Sequence, residues 1–329
     1  MLEGYICRKY NYIKEKYRRG RTEMLTKIEE FKRNYRKKYK FFLYITPSLI
    51  IWFVLTVYPK LQAYPMSFFE WNPLTGEKIF VGWYNYVVMF TRNLRPTLED
   101  AGNTLCYVLY LLVIQSVLAM ILALAMQKNT RNNRFFRAFF FLPMVFSTSM
   151  VSLTWAYMYD PNLGIINNFL AIFEPSKYPG FNFYFENWSE ILCVVIVHIW
   201  ANIGYTITIL TSGLNTISED LNEAAKIDGA NSKQAFWKIT FPLWLPTILR
   251  NMLLTITTGA VAHDYQVLLG NRTTVMDYDT WSTVLYKNLL GATDYGPVCA
   301  MGVVMSIVLG GITLIQYLTM RKVEKEIYG

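Results

Sequence analysis

Apolar residues fall along this chain in long blocks separated by polar stretches. Six blocks lie near Phe41–Pro59, Thr104–Met126, Phe135–Tyr157, Ile191–Thr211, Thr247–Leu268 and Val298–Leu318. Each is close to the roughly 20 residues that a helix needs to cross about 30 Å of hydrocarbon. The pattern predicts an all-α, polytopic membrane protein with six transmembrane helices over residues 41–329. Residues 1–40 form a separate basic tail, with no apolar run long enough for a cleavable leader.

One polar interruption, at about residues 215–246, carries more local signal than the others. Glu219, Asp220 and Glu223 crowd the front of a short segment that Ser218 or Thr216 can cap, where carboxylates suit the positive end of a helix dipole. Ala224 and Ala225 favour helix, and Gly229 stands where a left-handed residue would end it. Asn231 or Ser232 can cap a second short helix through Phe236, Trp237 and Ile239, which Pro242 and Pro246 are expected to stop or kink. The expectation is a helix, a tight turn and a helix lying across one membrane face.

Composition agrees with a membrane chain: 53% hydrophobic and 17% charged, with mean hydropathy +0.22, against about 25% charged in average usage. The net charge of +9 belongs to the tail, where residues 1–40 hold fourteen Lys and Arg against five Glu, leaving the remainder neutral. Anionic headgroups attract such juxtamembrane charge, so the tail reads as lipid-facing and cytoplasmic, with the bilayer and not nucleic acid as its partner. Residues 27–42 are readable either as a basic interfacial helix or as a solvated tail. With the tail inside, six crossings place both termini and the 215–246 loop in the cytoplasm. Eleven further basic residues then fall inside and seven outside, as the positive-inside rule requires. Three outward segments, about 60–100, 160–188 and 269–297, are long enough to meet a partner.

Glu223, Ala224, Ala225, Gly229, Ile239 and Pro242, with the adjoining Asp228, keep the spacing of the EAA loop, and the chain resembles the permease subunits of maltose-type, carbohydrate-importing ABC transporters. Phe80 to Tyr86 resembles a further stretch of that family. So does the run containing Arg137, Leu142, Pro143, Trp155, Asp160, Pro161, Gly164 and Asn167. The resemblance covers most of residues 41–322 and implies the type I ABC importer permease fold. It also implies docking of the loop into a cytoplasmic ATPase dimer, a second permease subunit in a heterodimer, and an extracytoplasmic sugar-binding protein. No cofactor is expected on this chain, since ATP and Mg belong to the partner ATPase.

Chemistry intrinsic to the chain is sparse. No Gly-Lys pair occurs, so no Walker A loop is present. Cys7, Cys106, Cys193 and Cys299 have no metal-ligand spacing, and His198 and His263 are the two histidines. The chain therefore reads as a non-catalytic transport subunit. His198, Asn202 and Tyr205 share a helical face in span four. Thr257, Val261, His263, Asp264 and Tyr265 mark span five. The resemblance implies that His198, Asn202, Tyr205, Thr257, Val261 and Asp264 contact sugar, while interhelical hydrogen bonding is the structural alternative. After span five the chain departs from the family, with Gly270 to Gly291 replacing a glycine-rich turn. Polyols and glycerol phosphodiesters are the alternatives to oligosaccharide, and neutral sugar is favoured because the spans lack clustered arginines. The alternative from another class is an ion-gradient-driven secondary transporter, for which Asp264 is the plausible buried acid.

Overall fold

The computed structural model describes residues 42–176, 187–269 and 278–328, and the basic tail lies outside the described residues. The chain divides into two compact units, 1–63 and 64–329. The described part of the first is an apolar helix, α1 (Phe42–Met66), whose last residues belong to the second. This helix was expected to stop at Pro59, and it continues. A π-turn over Phe53–Val57, closed by Tyr58 N–H on the Phe53 carbonyl, directly precedes that proline. A widened turn makes room for a pyrrolidine ring that would otherwise strike the carbonyl four residues back.

The second unit opens with an antiparallel hairpin, β1 (Phe69–Trp71) and β2 (Lys78–Phe80), with Phe69 opposite Phe80. The short α2 (Tyr84–Thr91) and the long α3 (Arg95–Ala125) follow. The third apolar block was expected as one crossing, but it is broken. Helix α4 (Arg131–Phe141) tightens into a 3-10 turn at Leu142–Val145, and α5 (Thr148–Met158) leaves at 96° to it. Pro143 opens the tight turn. Ser147 restarts the chain as an N-cap, its Oγ accepting from the Met150 N–H at 3.2 Å.

Asp160 shapes the next turn by accepting the N–H groups of Asn162 and Leu163 at 2.9 and 2.8 Å. Those two donors hold its carboxyl below the usual range. Helix α6 (Ile165–Leu170) follows, and then α7 (Asn187–Asn215). Helix α8 (Glu219–Ile227) leads to α9 (Ser232–Val261). The chain ends with α10 (Asp264–Leu269), α11 (Trp281–Gly291) and α12 (Gly296–Tyr328). The fifth span, expected to reach Leu268, stops at Val261, where Ala262 is extended. Among the described residues five helices are long and apolar enough to cross a membrane, or six if α4 and α5 count as one broken span.

Helix α7 is the centre of the second unit and packs against α3, α4 and α9. Its Val195, Val197, Ile207, Leu210 and Leu214 are fully buried, with Tyr107 and Leu111 of α3 and Trp244 of α9. Two polar pairs in this interior join helices, a common use of such groups in membrane bundles. Gln115 Nε2 donates to Thr206 Oγ1 at 2.8 Å, joining α3 to α7. The Trp244 Nε1–H donates to the Leu210 carbonyl at 2.9 Å, joining α9 to α7.

Candidate functional site

The polar loop forms the expected helix and turn, and the capping groups are now specific. Ser218 is the N-cap of α8, and its Oγ accepts from Asp220 N–H. At the other end Ala230 N–H reaches the Ala225 carbonyl at 2.9 Å and Gly229 N–H reaches Lys226 at 3.1 Å, with Gly229 at φ +82°. This is a Schellman closure, which satisfies the last carbonyls through a left-handed residue. Asn231 and Gln234 then form a reciprocal capping box, each contact 2.9 Å.

The second helix is not short. From Asn231 the chain runs through Ser232–Ala235, a π-turn at Phe236–Thr240 and Phe241–Val261 as one helix, α9. Pro242 and Pro246, expected to stop or kink the helix, lie within it. Pro242 follows the π-turn just as Pro59 does in α1, and the physical reason is the same. The loop's second arm is therefore the end of a membrane-spanning helix.

The two small residues of the loop divide their roles. Ala225 is buried, as is Ala235 at the start of α9, so the arms approach closely. Thr240 Oγ1 also donates to Asn222 Oδ1 at 3.3 Å between them. Glu223, Ala224, Asp228 and Gly229 are exposed, with Ile227 86% exposed among them. Trp237 is exposed nearby, edge-on to Phe236 and tilted against Phe241. Ile239 and Pro242 are half-buried. An exposed apolar side chain therefore stands beside a carboxylate on a scaffold closed by its own hydrogen bonds.

The residues read as sugar contacts do not form one group. His198 is buried: its Nδ1 lies 2.8 Å from the Tyr107 hydroxyl, and its ring is 5.2 Å from that of Tyr265. Asn202 Nδ2 donates to the His198 carbonyl at 2.9 Å and to the Tyr265 hydroxyl at 3.2 Å. Tyr205 is exposed. Thr257 and Val261 face a separate groove against Leu309 and Thr313 of α12. Asp264 is not a buried acid. Its side chain is 60% exposed, with its Oδ1 3.3 Å from His263 Nε2, which removes the group on which gradient-driven transport rested.

The sequence reading missed Tyr107, although a phenol in an apolar run is the partner that a buried histidine needs. It also missed two buried acids, Glu190 just before the fourth expected span and Asp279 in the segment between the fifth and sixth.

Comparison with known proteins gives a consistent set of likenesses. The family model described as "Binding-protein-dependent transport system inner membrane component" matches residues 115–325. The multiple sugar-binding transport system permease protein of Streptococcus mutans is 29% identical over 289 residues, 87% of this chain and 97% of that relative. The osmoprotective compounds uptake permease protein of Synechocystis is 30% identical over 225 residues, 67% of this chain and 75% of the relative. The probable starch degradation products transport system permease protein of Thermoanaerobacterium thermosulfurigenes is 26% identical over 304 residues. A solved bacterial ABC transporter that imports alginate contains a chain of the same fold, at TM-score 0.74 and 21% identity, over 87% of this chain and 96% of that one.

Proposed function

The chain belongs to the family of binding-protein-dependent transport system inner membrane components, and on that premise we propose that it is the non-catalytic permease subunit of an ATP-driven importer of oligosaccharide. The observation that carries this reading is the α7–α8–α9 unit, in which an exposed Glu223, Ile227 and Gly229 surface is fastened to two membrane helices. In the proposed mechanism a cytoplasmic ATPase dimer, which holds the ATP and Mg, takes this surface into a groove. Glu223 meets a basic group and Gly229 admits close backbone approach. Closure of the ATPase then tilts α7 and α9 together and switches the access of the path.

A second, similar permease completes the path, an extracytoplasmic binding protein delivers the cargo, and both termini lie in the cytoplasm. Two relatives named for multiple sugars and for starch degradation products support a carbohydrate cargo. Relatives named for sn-glycerol-3-phosphate also match, at 24–25% identity, but the spans here carry no arginine cluster to clamp a phosphate. The test is affinity purification of this chain from its native membrane beside Glu223→Lys, with co-purifying proteins identified by mass spectrometry. An ATPase recovered with the wild type and lost with the variant, at equal chain levels, is the expected result. No ATPase even after crosslinking would overturn the reading.

A further inference from the structure

We propose that a cavity of about 420 Å³ between α2, α3, α11 and α12 is a socket for a basic side chain of the extracytoplasmic binding protein, with Asp100 as its counter-charge. The inference rests on the proposed importer topology, which turns this end of the molecule away from the ATPase.

The cavity is polar where it matters: Asn93, just before α3, with Thr97 and Asp100 of α3, line it together with Lys287 and Asn288 of α11. Its one cation is already committed. Lys287 Nζ donates to both carboxylate oxygens of the buried Asp279, at 2.8 and 2.6 Å, so that pair is neutral. Glu99 points elsewhere, paired with Arg95 at 2.9 Å on the far side of α3. Asp100 is left half-buried, and its carboxylate has no hydrogen bond or ion pair among the described residues. A carboxylate held this way favours a cation. No group of three His, Cys, Asp or Glu able to hold a metal occurs among the described residues. An ammonium or guanidinium needs several acceptors, and the amide oxygens of Asn93 and Asn288 with the Thr97 hydroxyl supply them around Asp100.

The hairpin and the turn before α2, which precede the cavity-lining Asn85 in the chain, carry exposed aromatic groups. The β1–β2 hairpin is tied beside the cavity by Asn85 Nδ2 donating to the Ser67 and Phe69 carbonyls at 2.9 and 3.1 Å. Trp71 N–H donates to Asp294 Oδ1 at 2.8 Å. On this fixed platform Phe80 is 69% and Trp83 67% exposed. Aromatic groups around a desolvated charge pair are what concentrates binding energy at interfaces.

Two measurements test the socket. In the importer purified with its ATPase and binding protein and placed in nanodiscs, Asp100→Asn should weaken the binding protein's affinity about tenfold, and Asp100→Lys more. ATPase recovery and basal hydrolysis should stay unchanged, because the Asp100 carboxylate has no partner to lose among the described residues. Affinity for Asp100→Lys within twofold of wild type overturns the socket, whereas a wild-type chain that recovers no ATPase overturns the importer reading instead. Independently, Asn288→Cys in a background with the four native cysteines replaced should react at least fivefold faster with a cationic than with an anionic methanethiosulfonate. That preference should vanish on adding Asp100→Asn. Equal rates with Asp100 present also overturn the proposal.

Discussion

Gly229 has φ +82°, yet a Cβ built there would meet nothing within 4 Å. In the free chain the glycine is required by backbone conformation alone. Asparagine tolerates that conformation well and a β-branched residue does not. Gly229→Asn should therefore keep the chain at normal levels in the membrane, while Gly229→Val disturbs the turn itself. If the ATPase approaches this backbone closely, Gly229→Asn should still recover less than a tenth of the wild-type ATPase on co-purification. Full recovery would mean that no backbone contact is made there. Comparing the two residues separates the demand of the fold from that of the partner.

At the scale of the element, two contacts explain where helices run and where they stop. Gly204 of α7 sits against the backbone of Phe140 and Phe141, so close that any Cβ would overlap it. Gly204→Ala should force α4 outward and cost about 1–3 kcal/mol. A lowered thermal midpoint of the detergent-purified chain, at equal expression, checks it, and an unchanged midpoint would deny the close approach. Sequence reading found the apolar blocks because lipid imposes a length and a polarity on every crossing helix. It found the loop's caps to within one alternative each, since Ser218 and Asn231 act through local hydrogen bonds. It misplaced the helix ends at Pro59 and Pro242 because a π-turn leaves no mark in the hydrophobic pattern. It likewise missed the 96° break in the third block, whose residues stay apolar on both sides of it. The sugar-contact set failed for a related reason. Spacing along α7 places His198, Asn202 and Tyr205 on one face, but only packing decides that His198 meets Tyr107 while Tyr205 meets none of that group.

Across the second unit, α9 joins the loop to the region around His198. Its 30 residues make a rod of about 45 Å, longer than the about 30 Å of hydrocarbon, so its first turns stand clear of the apolar layer. Trp244 binds it to α7 and Arg250 pairs with Glu324 of α12, so the three helices are fastened near the loop. At its far end the chain breaks after Val261 into α10, which packs on α5, the second half of the other broken span. Tyr265 of α10 takes a hydrogen bond from Asn202 of α7 at this junction. In the proposed mechanism a push at Gly229 would reach α10 and the broken α4–α5 span through the unbroken α9, provided that the π-turn at Phe236–Thr240 stays stiff. Lys238→Gly with Thr240→Gly should soften it, each glycine weakening helix by about 1 kcal/mol relative to alanine. ATPase recovery and basal hydrolysis should persist, while stimulation of hydrolysis by the binding protein falls at least tenfold. The matching double alanine variant should keep most of the stimulation. If the glycine pair keeps it too, motion passes from the loop through α7, and the continuity of α9 past Pro242 serves insertion rather than coupling.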